Sequence, residues 1–279
     1  MAKPLQIAFQ GARGAFSEQA CRQLLGPDVE LRPCERFVEI FEALKNGEVD
    51  HTVVPIENTL AGSVHENYDH LLEYRLPIIA ETRVRIVHNL IGRPEAEMSG
   101  IRRAISHPVA LGQCIRFFRE HPEIRAESHY DTGGSVKTIM EGDDATTAAI
   151  ASSAAAALYG AKILKPEIED NPENYTRFFL LAPTAPDEPL DGPGPLKTSI
   201  AFATRNEPGA LFKCMAAFGL RDINLTKIES RPMRGRPWEY LFYVDLIGDP
   251  REERCSNALR HLGETTEFLA VLGTYRQSA

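Results

Sequence analysis

The chain has 279 residues, of which 43% are hydrophobic and 25% are charged, a composition typical of a globular protein long enough for two domains. Its formal net charge of −8 disfavours binding to nucleic acids or to acidic membranes, so any positive charge that holds an anionic ligand must be local. The five cysteines are scattered without metal-ligand or redox spacing, which indicates reduced, mostly buried thiols and no metal site.

Strands and helices alternate through the first 182 residues. The chain enters a strand pattern at Leu5–Phe9 without the apolar core of a secretory signal, and no apolar run could span a bilayer, so we expect a cytoplasmic protein. A helix is predicted where Phe37, Ile40, Phe41 and Leu44 recur on one face. The other predicted elements are helices at Ser17–Leu25 (capped by Ser17), Ser63–Tyr74, Pro108–Arg119 and Ser152–Tyr159, and extended segments at Val49–Ile56, Ile78–Val87, Ile101–Ile105, Ala148–Ala151 and Thr176–Leu181.

This alternation predicts an α/β unit at 1–182 with largely parallel sheets. Residues of about 84–151 read as an inserted second lobe, because the strand at Thr176–Leu181 can return to the first sheet. A cleft is then expected between the two lobes.

Five prolines within residues 183–196 predict a stiff, extended linker. The remaining residues, 197–279, have the order β-α-β-β-α-β of the ferredoxin-like α+β split unit. Its predicted elements are strands at Thr198–Thr204, Ile223–Glu229, Trp238–Gly248 and Phe268–Thr274, helices at Pro208–Phe218 and Pro250–Leu262, and an Arg- and Gly-rich turn at Arg231–Pro237.

Polar side chains follow several predicted strands where each strand ends or begins. Glu57 and Asn58 follow one strand, Ser106 follows another, and Thr176 and Arg177 precede the buried run that starts at Phe178. Ligands of open α/β sheets bind at this edge. Three strand-to-helix turns carry glycine or exposed N–H groups, namely 11–14, 106–113 with Gln113, and 131–135 with Thr132. If the lobes form a cleft, these turns and Thr176 converge there.

Five separated motifs give the chain a strong resemblance to a known family. Residues 11–20, 55–62, 106–114 and 174–178 resemble the motifs of prephenate dehydratase, and 208–211 with 229–232 resemble its C-terminal ACT regulatory domain. The likeness covers nearly the whole chain, with the motifs in the family's order. Val109 stands where the family usually has glutamine, Thr59 where serine is more usual, and Gly133-Gly134-Ser135 replaces an alanine-rich stretch.

The resemblance implies a two-lobed, periplasmic-binding-protein-like catalytic domain and decarboxylative dehydration of prephenate to phenylpyruvate, without a cofactor. It implies that Thr176 assists departure of the ring hydroxyl and that Asn58, Ser106 and Gln113 position the substrate. Substrate binding is expected from the residues that flank these groups: Arg177, Phe178, Glu57 and Thr132. Arg177 is equally consistent with a structural ion pair, and Glu57 is expected to orient its neighbours.

The resemblance also implies feedback inhibition by phenylalanine and a homodimer or homotetramer. The expected effector-binding residues are Gly209, Ala210, Leu211, Asn224, Glu229 and Ser230. Two alternatives stay open from the residues: an arogenate dehydratase, whose substrate differs by an amino group, and a non-catalytic two-lobed sensor of amino acids or other ligands.

Overall fold

The computed structural model describes residues 4–233 and 239–278. By contacts the chain divides into two compact units, one comprising residues up to Tyr68 with Arg83–Phe178, the other comprising Asp69–Thr82 with the chain from Phe179 onward. The second unit therefore includes a short segment of the N-terminal half, Asp69–Thr82. The Arg234–Pro237 part of the predicted turn, and Trp238 at the predicted start of the next strand, lie outside the described residues.

The first sheet is built by residues near the N-terminus and by one strand that returns from further along the chain. Its elements are β1 (Gln6–Gln10), α1 (Phe16–Leu25), β2 (Glu30–Cys34), α2 (Phe37–Lys45), β3 (His51–Asn58), β4 (Gly62–Ser63), α3 (His65–Tyr74) and β5 (Ile78–Arg85). The strand order is β2-β1-β3, then a late strand, then β5, with β1 parallel to both β2 and β3 and β4 paired to β3. Ile7, Ala8 and Phe9 have no exposed surface, as expected for a strand covered on both faces.

The second sheet is inserted between β5 and that late strand. Its elements and the returning strand are β6 (Asn89–Gly92), β7 (Arg103–Ser106), α4 (Pro108–Gly112), α5 (Ile115–Glu120), β8 (Arg125–Ser128), α6 (Thr132–Glu141), β9 (Thr147–Ala151), α7 (Ser153–Tyr159), β10 (Lys162–Lys165) and β11 (Tyr175–Leu181). The strand order is β10-β6-β9-β7-β8, and β11 joins the first sheet between β3 and β5. We call the first sheet with its helices the first lobe, and residues 89–165 the second lobe. The second lobe continues past residue 151 because β10 pairs with β6.

Alternation along β9 explains how the second sheet is covered on both faces. Ala149 and Ala151 pack with Val136 of α6 and Ala155 of α7, whereas Ala148 and Ile150 belong to the core cluster on the opposite face. All five residues of β9 are buried. Small side chains let the helices approach the sheet closely, so this lobe is a compact three-layer structure.

Several predicted helix bounds differ from the structure, including those of α1, α3 and the helix expected at 108–119. α1 begins at Phe16 with Ala15 at its N-cap, so Ser17 lies inside the helix. α3 begins at His65 because Gly62–Ser63 pair with β3 instead. The predicted helix at 108–119 is broken after Gly112, where the two carboxylate oxygens of Asp170 accept the N–H groups of Ile115 and Arg116, each at 2.8 Å.

The second unit contains a four-stranded antiparallel sheet with the predicted β-α-β-β-α-β order. Its elements are β12 (Leu196–Ala203), α8 (Ala210–Gly219), β13 (Leu225–Pro232), β14 (Tyr240–Ile247), α9 (Glu253–Thr265) and β15 (Phe268–Arg276). The strand order β13-β14-β12-β15 is that of the ferredoxin-like split unit. The helices cover one face through a cluster that includes Ile200, Phe202, Phe218, Val244 and Leu262. Between β11 and β12, residues 182–195 contain neither helix nor strand.

The other face of this sheet carries polar side chains that are buried under Asp69–Thr82. Lys197 Nζ lies 2.5 Å from Glu81 Oε1, and both side chains are at most 2% exposed. Lys197 Nζ also lies 5.7 Å from the centre of the Tyr275 ring. Arg231 and Asp69 form a second ion pair at 3.4 Å. Charged contacts within this unit therefore hold the Asp69–Thr82 segment to the sheet.

All five cysteines are free, and Cys21, Cys114, Cys214 and Cys255 are buried, which confirms the expectation of mostly buried thiols. Burial raises the pKa of the Cys21 thiol to about 12, so this thiol is not a nucleophile at neutral pH. No helix in the described ranges has both the length and the apolar character required to cross a bilayer.

We predict that the Lys197–Glu81 pair is coupled strongly. Lys197→Met leaves the Glu81 carboxylate buried without its cation and should lower the free energy of unfolding by about 3–5 kcal/mol. Glu81→Gln combined with Lys197→Met should cost less than the sum of the two single changes, measured by urea unfolding. Equality of the double variant with that sum would contradict a specific pair.

Candidate active site

A cavity of about 420 Å³ opens where loops of the first lobe face loops of the second lobe. Its size lies within the range of small-molecule sites, roughly 300–1,000 Å³. The predicted convergence is present: Gly11, Asn58, Gln113, Thr132 and Thr176 all line this cavity. Each lies at a turn or strand end, so the two lobes place side chains distant in sequence around one volume.

Thr176 lies near the start of β11 and contacts Asn58 at the end of β3. Asn58 Nδ2 donates to Thr176 Oγ1 at 3.0 Å and to the Tyr175 carbonyl at 3.1 Å. Asn58 Oδ1 accepts the backbone N–H groups of Leu60 at 3.0 Å and Ala61 at 2.8 Å. These four contacts fix the amide of Asn58 and place the Thr176 hydroxyl at the cavity surface.

Gln113 reaches the same cluster from the second lobe. It occupies the C-cap of α4, at the break between α4 and α5, and its Nε2 donates to Asn58 Oδ1 at 3.3 Å. Its Oε1 lies 2.9 Å from Asn174 Nδ2 and 2.9 Å from His88 Nε2. Asn174 Oδ1 accepts from Asn58 Nδ2 at 2.7 Å. Three amides, one imidazole and one hydroxyl thus form a continuous hydrogen-bonded cluster.

His88 and Asn174 are members of this cluster that the sequence did not single out. His88 is 2% exposed, lines the cavity, and packs edge-on against Phe16. Burial lowers the pKa of His88, against the opposing effects of the Gln113 contact and of the Glu169 carboxylate. The imidazole is therefore neutral at neutral pH. The one available signal was its position directly after the extended run at Ile78–Val87, since histidines have no ligand-like spacing here.

Arg177, Phe178 and Glu57 do not line the cavity, contrary to the expected binding roles. Successive residues of a strand point to opposite faces, so Arg177 points away from the side occupied by Thr176. The Arg177 side chain is 7% exposed and lies 3.9 Å from Glu57 Oε2 in an ion pair. Phe178 is 2% exposed and belongs to the core. The structural alternative for Arg177 is therefore the one that the geometry favours.

Ser106 is likewise placed away from the cavity. It has no exposed surface, and its Oγ donates to the Ile150 carbonyl at 2.6 Å across neighbouring strands. Ser106 is the last residue of β7, and its hydroxyl is used in a hydrogen bond within the second sheet. His107, the next residue, lines the cavity instead, and burial lowers its pKa despite the nearby Asp131 carboxylate.

The glycine-containing turn at 11–14 allows the lobes to meet closely beside the cavity. Gly14 has φ +83°, and a Cβ there would lie 2.7 Å from Ala155 Cα of α7. Gly133 at the start of α6 is equally close, since its Cβ would lie 2.9 Å from the Arg13 carbonyl. Ser152 Oγ donates to the Gly14 carbonyl at 2.7 Å. Glycine is therefore required by contact between backbones, which also accounts for Gly133 in this chain.

The acidic and basic groups around the cavity are few. Among its lining residues in the described chain there is no lysine or arginine, and Asp131 contributes a carboxylate. Asp131 caps α6 by accepting the Gly134 N–H and lies 3.3 Å from the Ala12 N–H. Thr132 begins α6 and also lines the cavity. An anionic ligand here would depend on N–H groups, amides and hydroxyls rather than on cationic side chains.

The predicted effector residues all lie in the second unit. Gly209 adopts φ +78° as the N-cap of α8, and Ala210 and Leu211 form its first turn. Asn224 precedes β13, and its carbonyl accepts the Ile247 N–H at 2.9 Å. Glu229 and Ser230 lie within β13, where Ser230 is exposed and paired with Phe242.

The described residues contain no group of three or more His, Cys, Asp or Glu side chains arranged to hold a metal ion.

Comparison with known proteins gives one family match. A model of the prephenate dehydratase family matches residues 7–186, which leaves the whole β12–β15 region outside the match. The chain is 43% identical over 283 residues to arogenate dehydratase/prephenate dehydratase 2, chloroplastic, of Arabidopsis thaliana, covering 97% of this chain and 72% of that protein.

Several solved structures are similar over nearly the whole chain, two of them with TM-scores of 0.88. Prephenate dehydratase of Arthrobacter aurescens, in complex with L-Phe, has a TM-score of 0.88 and 32% identity, covering 98% of this chain and 90% of that one. GqqA, described as a novel type of quorum quenching acylase, has a TM-score of 0.88 and 33% identity, covering 98% of both chains. These neighbours agree with the mixed α/β architecture of the two lobes.

We predict that His88 makes stability fall at mildly acid pH. Because the folded pKa lies below the unfolded value of about 6.5, the unfolded chain binds more protons as pH drops through that value, and unfolding becomes easier. Urea unfolding from pH 7.5 to 5.5 should show a smaller loss of stability for His88→Gln than for the unaltered chain. Equal slopes for the two proteins would show that His88 does not titrate in this way.

Proposed function

We propose that this chain, which belongs to the prephenate dehydratase family, catalyses the decarboxylative dehydration of prephenate to phenylpyruvate. Membership of the family makes the chain a dehydratase, a carbon–oxygen lyase, which confirms the expectation of an enzyme rather than a sensor without chemistry. The observation that carries the proposal is the Thr176 hydroxyl, which accepts a hydrogen bond from Asn58 at the cavity surface and keeps its own proton for a ligand.

The proposed reaction needs assistance at one departing oxygen. The ring carboxylate leaves as carbon dioxide, its bonding electrons move through the cyclohexadiene, and the hydroxyl at the far ring carbon leaves as hydroxide, which takes a proton from solvent to become water. The product ring is aromatic, so the reaction is strongly downhill. Thr176 would donate a hydrogen bond to the departing oxygen as negative charge develops there, a form of transition-state stabilisation by a positioned donor.

The other polar groups of the cavity would either orient Thr176 or contact the substrate. Asn58 and Gln113 already use their amides within the cluster, so their proposed role is to orient Thr176 and shape the wall. Thr132, which lines the cavity at the start of α6, would face a polar group of the substrate. Correct orientation can itself supply a large part of a rate enhancement.

Arogenate is a second candidate substrate, and two observations favour it. The Arabidopsis relative carries both activities in its name, and Asp131 places a carboxylate at the cavity where no cationic side chain was found among the described lining residues. Arogenate differs from prephenate by an ammonium group that such a carboxylate would attract. Comparison of kcat/KM for the two substrates on the same preparation decides between them.

We propose further that the ferredoxin-like part of the second unit is an ACT regulatory domain that binds phenylalanine. The similar Arthrobacter aurescens structure contains L-Phe, and the strand order supports the domain type. The effector would lie at the start of α8 with Asn224, Glu229 and Ser230, in a homodimer or homotetramer. Inhibition then requires that phenylalanine bind one state of the assembly more tightly than another.

We predict that Thr176→Val, which keeps the side-chain volume but removes the hydroxyl, lowers kcat by about 10²- to 10³-fold with little change in KM. Ser106→Ala is the matched control, since this buried hydroxyl donates to Ile150 and should affect stability by about 1 kcal/mol and not turnover. The assay follows phenylpyruvate absorbance in alkali. Near-normal turnover by Thr176→Val would remove Thr176 from the mechanism.

We predict that Ser230→Ala and Gly209→Val weaken inhibition by phenylalanine while turnover in its absence is kept. Valine at residue 209 must adopt the left-handed conformation that glycine occupies there, which disturbs the start of α8. The measurement is initial rate against phenylalanine concentration, with phenylalanine binding followed by calorimetry. Unchanged inhibition in both variants would place the effector elsewhere.

A further inference from the structure

The hydrogen bonds around Thr176 have a fixed direction, because one amide is anchored by the backbone. Leu60 N–H and Ala61 N–H can only donate, and both point to the same atom of Asn58. That atom must therefore be the oxygen Oδ1, and the other must be the nitrogen Nδ2. The Tyr175 carbonyl, which can only accept, lies 3.1 Å from Nδ2 and agrees with this assignment.

The orientation of Gln113 follows from that of Asn58. Since Asn58 Oδ1 is an acceptor, the Gln113 atom 3.3 Å from it must be the donor Nε2. Gln113 Oε1 is then the atom that faces Asn174 Nδ2 and His88 Nε2, each at 2.9 Å. Asn174 agrees, because its oxygen accepts from Asn58 and its nitrogen remains for Gln113.

The tautomer of His88 is the last assignment in the series. An amide oxygen accepts only, so His88 Nε2 carries the proton and donates to Gln113 Oε1. His88 Nδ1 is then a lone-pair acceptor, and it is a buried atom without a hydrogen-bond partner in the described chain. The backbone N–H of His88 donates to Glu169 Oε2 at 2.9 Å, which holds the residue in place.

We propose that His88 is a positioning residue for the reaction: its Nε2–H holds Gln113, and through Gln113 and Asn58 it keeps the proton of Thr176 directed to the departing oxygen. This inference rests on the proposed function. If Gln113 turned over, its oxygen would face Asn58 Oδ1, which the N–H groups of Leu60 and Ala61 hold in place, and the repulsion would push Gln113 away from Asn58. Asn58, which orients the Thr176 hydroxyl, would then lose its contact with the second lobe.

Two substitutions distinguish the contribution of His88 Nε2 from that of His88 Nδ1. In His88→Gln the side-chain amide nitrogen can occupy the place of Nε2 and still donate to Gln113, whereas in His88→Asn the amide reaches only the place of Nδ1. We expect His88→Gln to keep kcat within about threefold and His88→Asn to lower it roughly 10- to 100-fold, because the latter leaves a buried acceptor with one donor fewer. KM should change less than twofold in both variants. Equal losses of kcat, or normal kcat in His88→Asn, would overturn the proposal.

A direct measurement of the tautomer does not depend on turnover. Long-range ¹⁵N–¹H correlation spectra of the full-length protein, with His88→Gln used for assignment, should show His88 as the neutral ring with Nε2 protonated. A proton on Nδ1 would overturn the proposal even if the enzyme is active or if His88→Asn fails to fold. If the unaltered chain converts neither prephenate nor arogenate, the proposed function fails, while the spectrum still decides the direction of the hydrogen bonds.

Discussion

Two backbone N–H groups, those of Leu60 and Ala61, determine which way the polar cluster of the cavity is oriented. Both donate to Asn58 Oδ1 in the turn that follows β3. Side-chain amides are otherwise free to turn over at little cost, because nitrogen and oxygen have nearly the same size. Anchoring one amide to the main chain removes that freedom for Gln113, Asn174 and His88 as well. Thr176, the proposed catalytic donor, then needs no strong base beside it to direct its proton.

The alternation of side chains along β11 decides which residues next to Thr176 can face the cavity. Thr176 and Arg177 are adjacent in sequence, and an arginine is the expected partner of an anionic substrate. The alternation of β11 nevertheless directs Arg177 to the other face, where it pairs with Glu57. Arg177 is therefore next to the site in sequence but contacts β3 on the face of the sheet opposite to the cavity. The charge of Arg177 is therefore used in an ion pair with Glu57, and the cavity side of β11 offers the hydroxyl of Thr176.

Several parts of the site could be predicted from sequence because they depend on local patterns. Thr176, Asn58 and Gln113 lie at strand ends or early in a helix, positions that periodicity identifies and that α/β topology brings together. The missed features depend on contacts distant in sequence. Asp170 accepts the N–H groups of Ile115 and Arg116, from which it is 55 and 54 residues distant in sequence, and so breaks the predicted helix. Gln113 lies at this break and turns toward the cavity. The Ser106 hydroxyl is bonded to the Ile150 carbonyl, 44 residues further along the chain, and His88 contacts Gln113 of the second lobe, 25 residues away.

The scarcity of cationic side chains at the cavity suits the proposed chemistry. In the ground state the substrate carries a full negative charge on the ring carboxylate, and that charge disappears from this position as carbon dioxide forms. An arginine clamped on this group would stabilise the substrate more than the transition state and would slow the reaction. Negative charge instead develops on the departing oxygen, and a hydroxyl donor at that point stabilises the transition state selectively. The same reasoning explains why a buried, neutral His88 is preferable to a charged one: it directs hydrogen bonds without adding a cation that would stabilise the bound carboxylate.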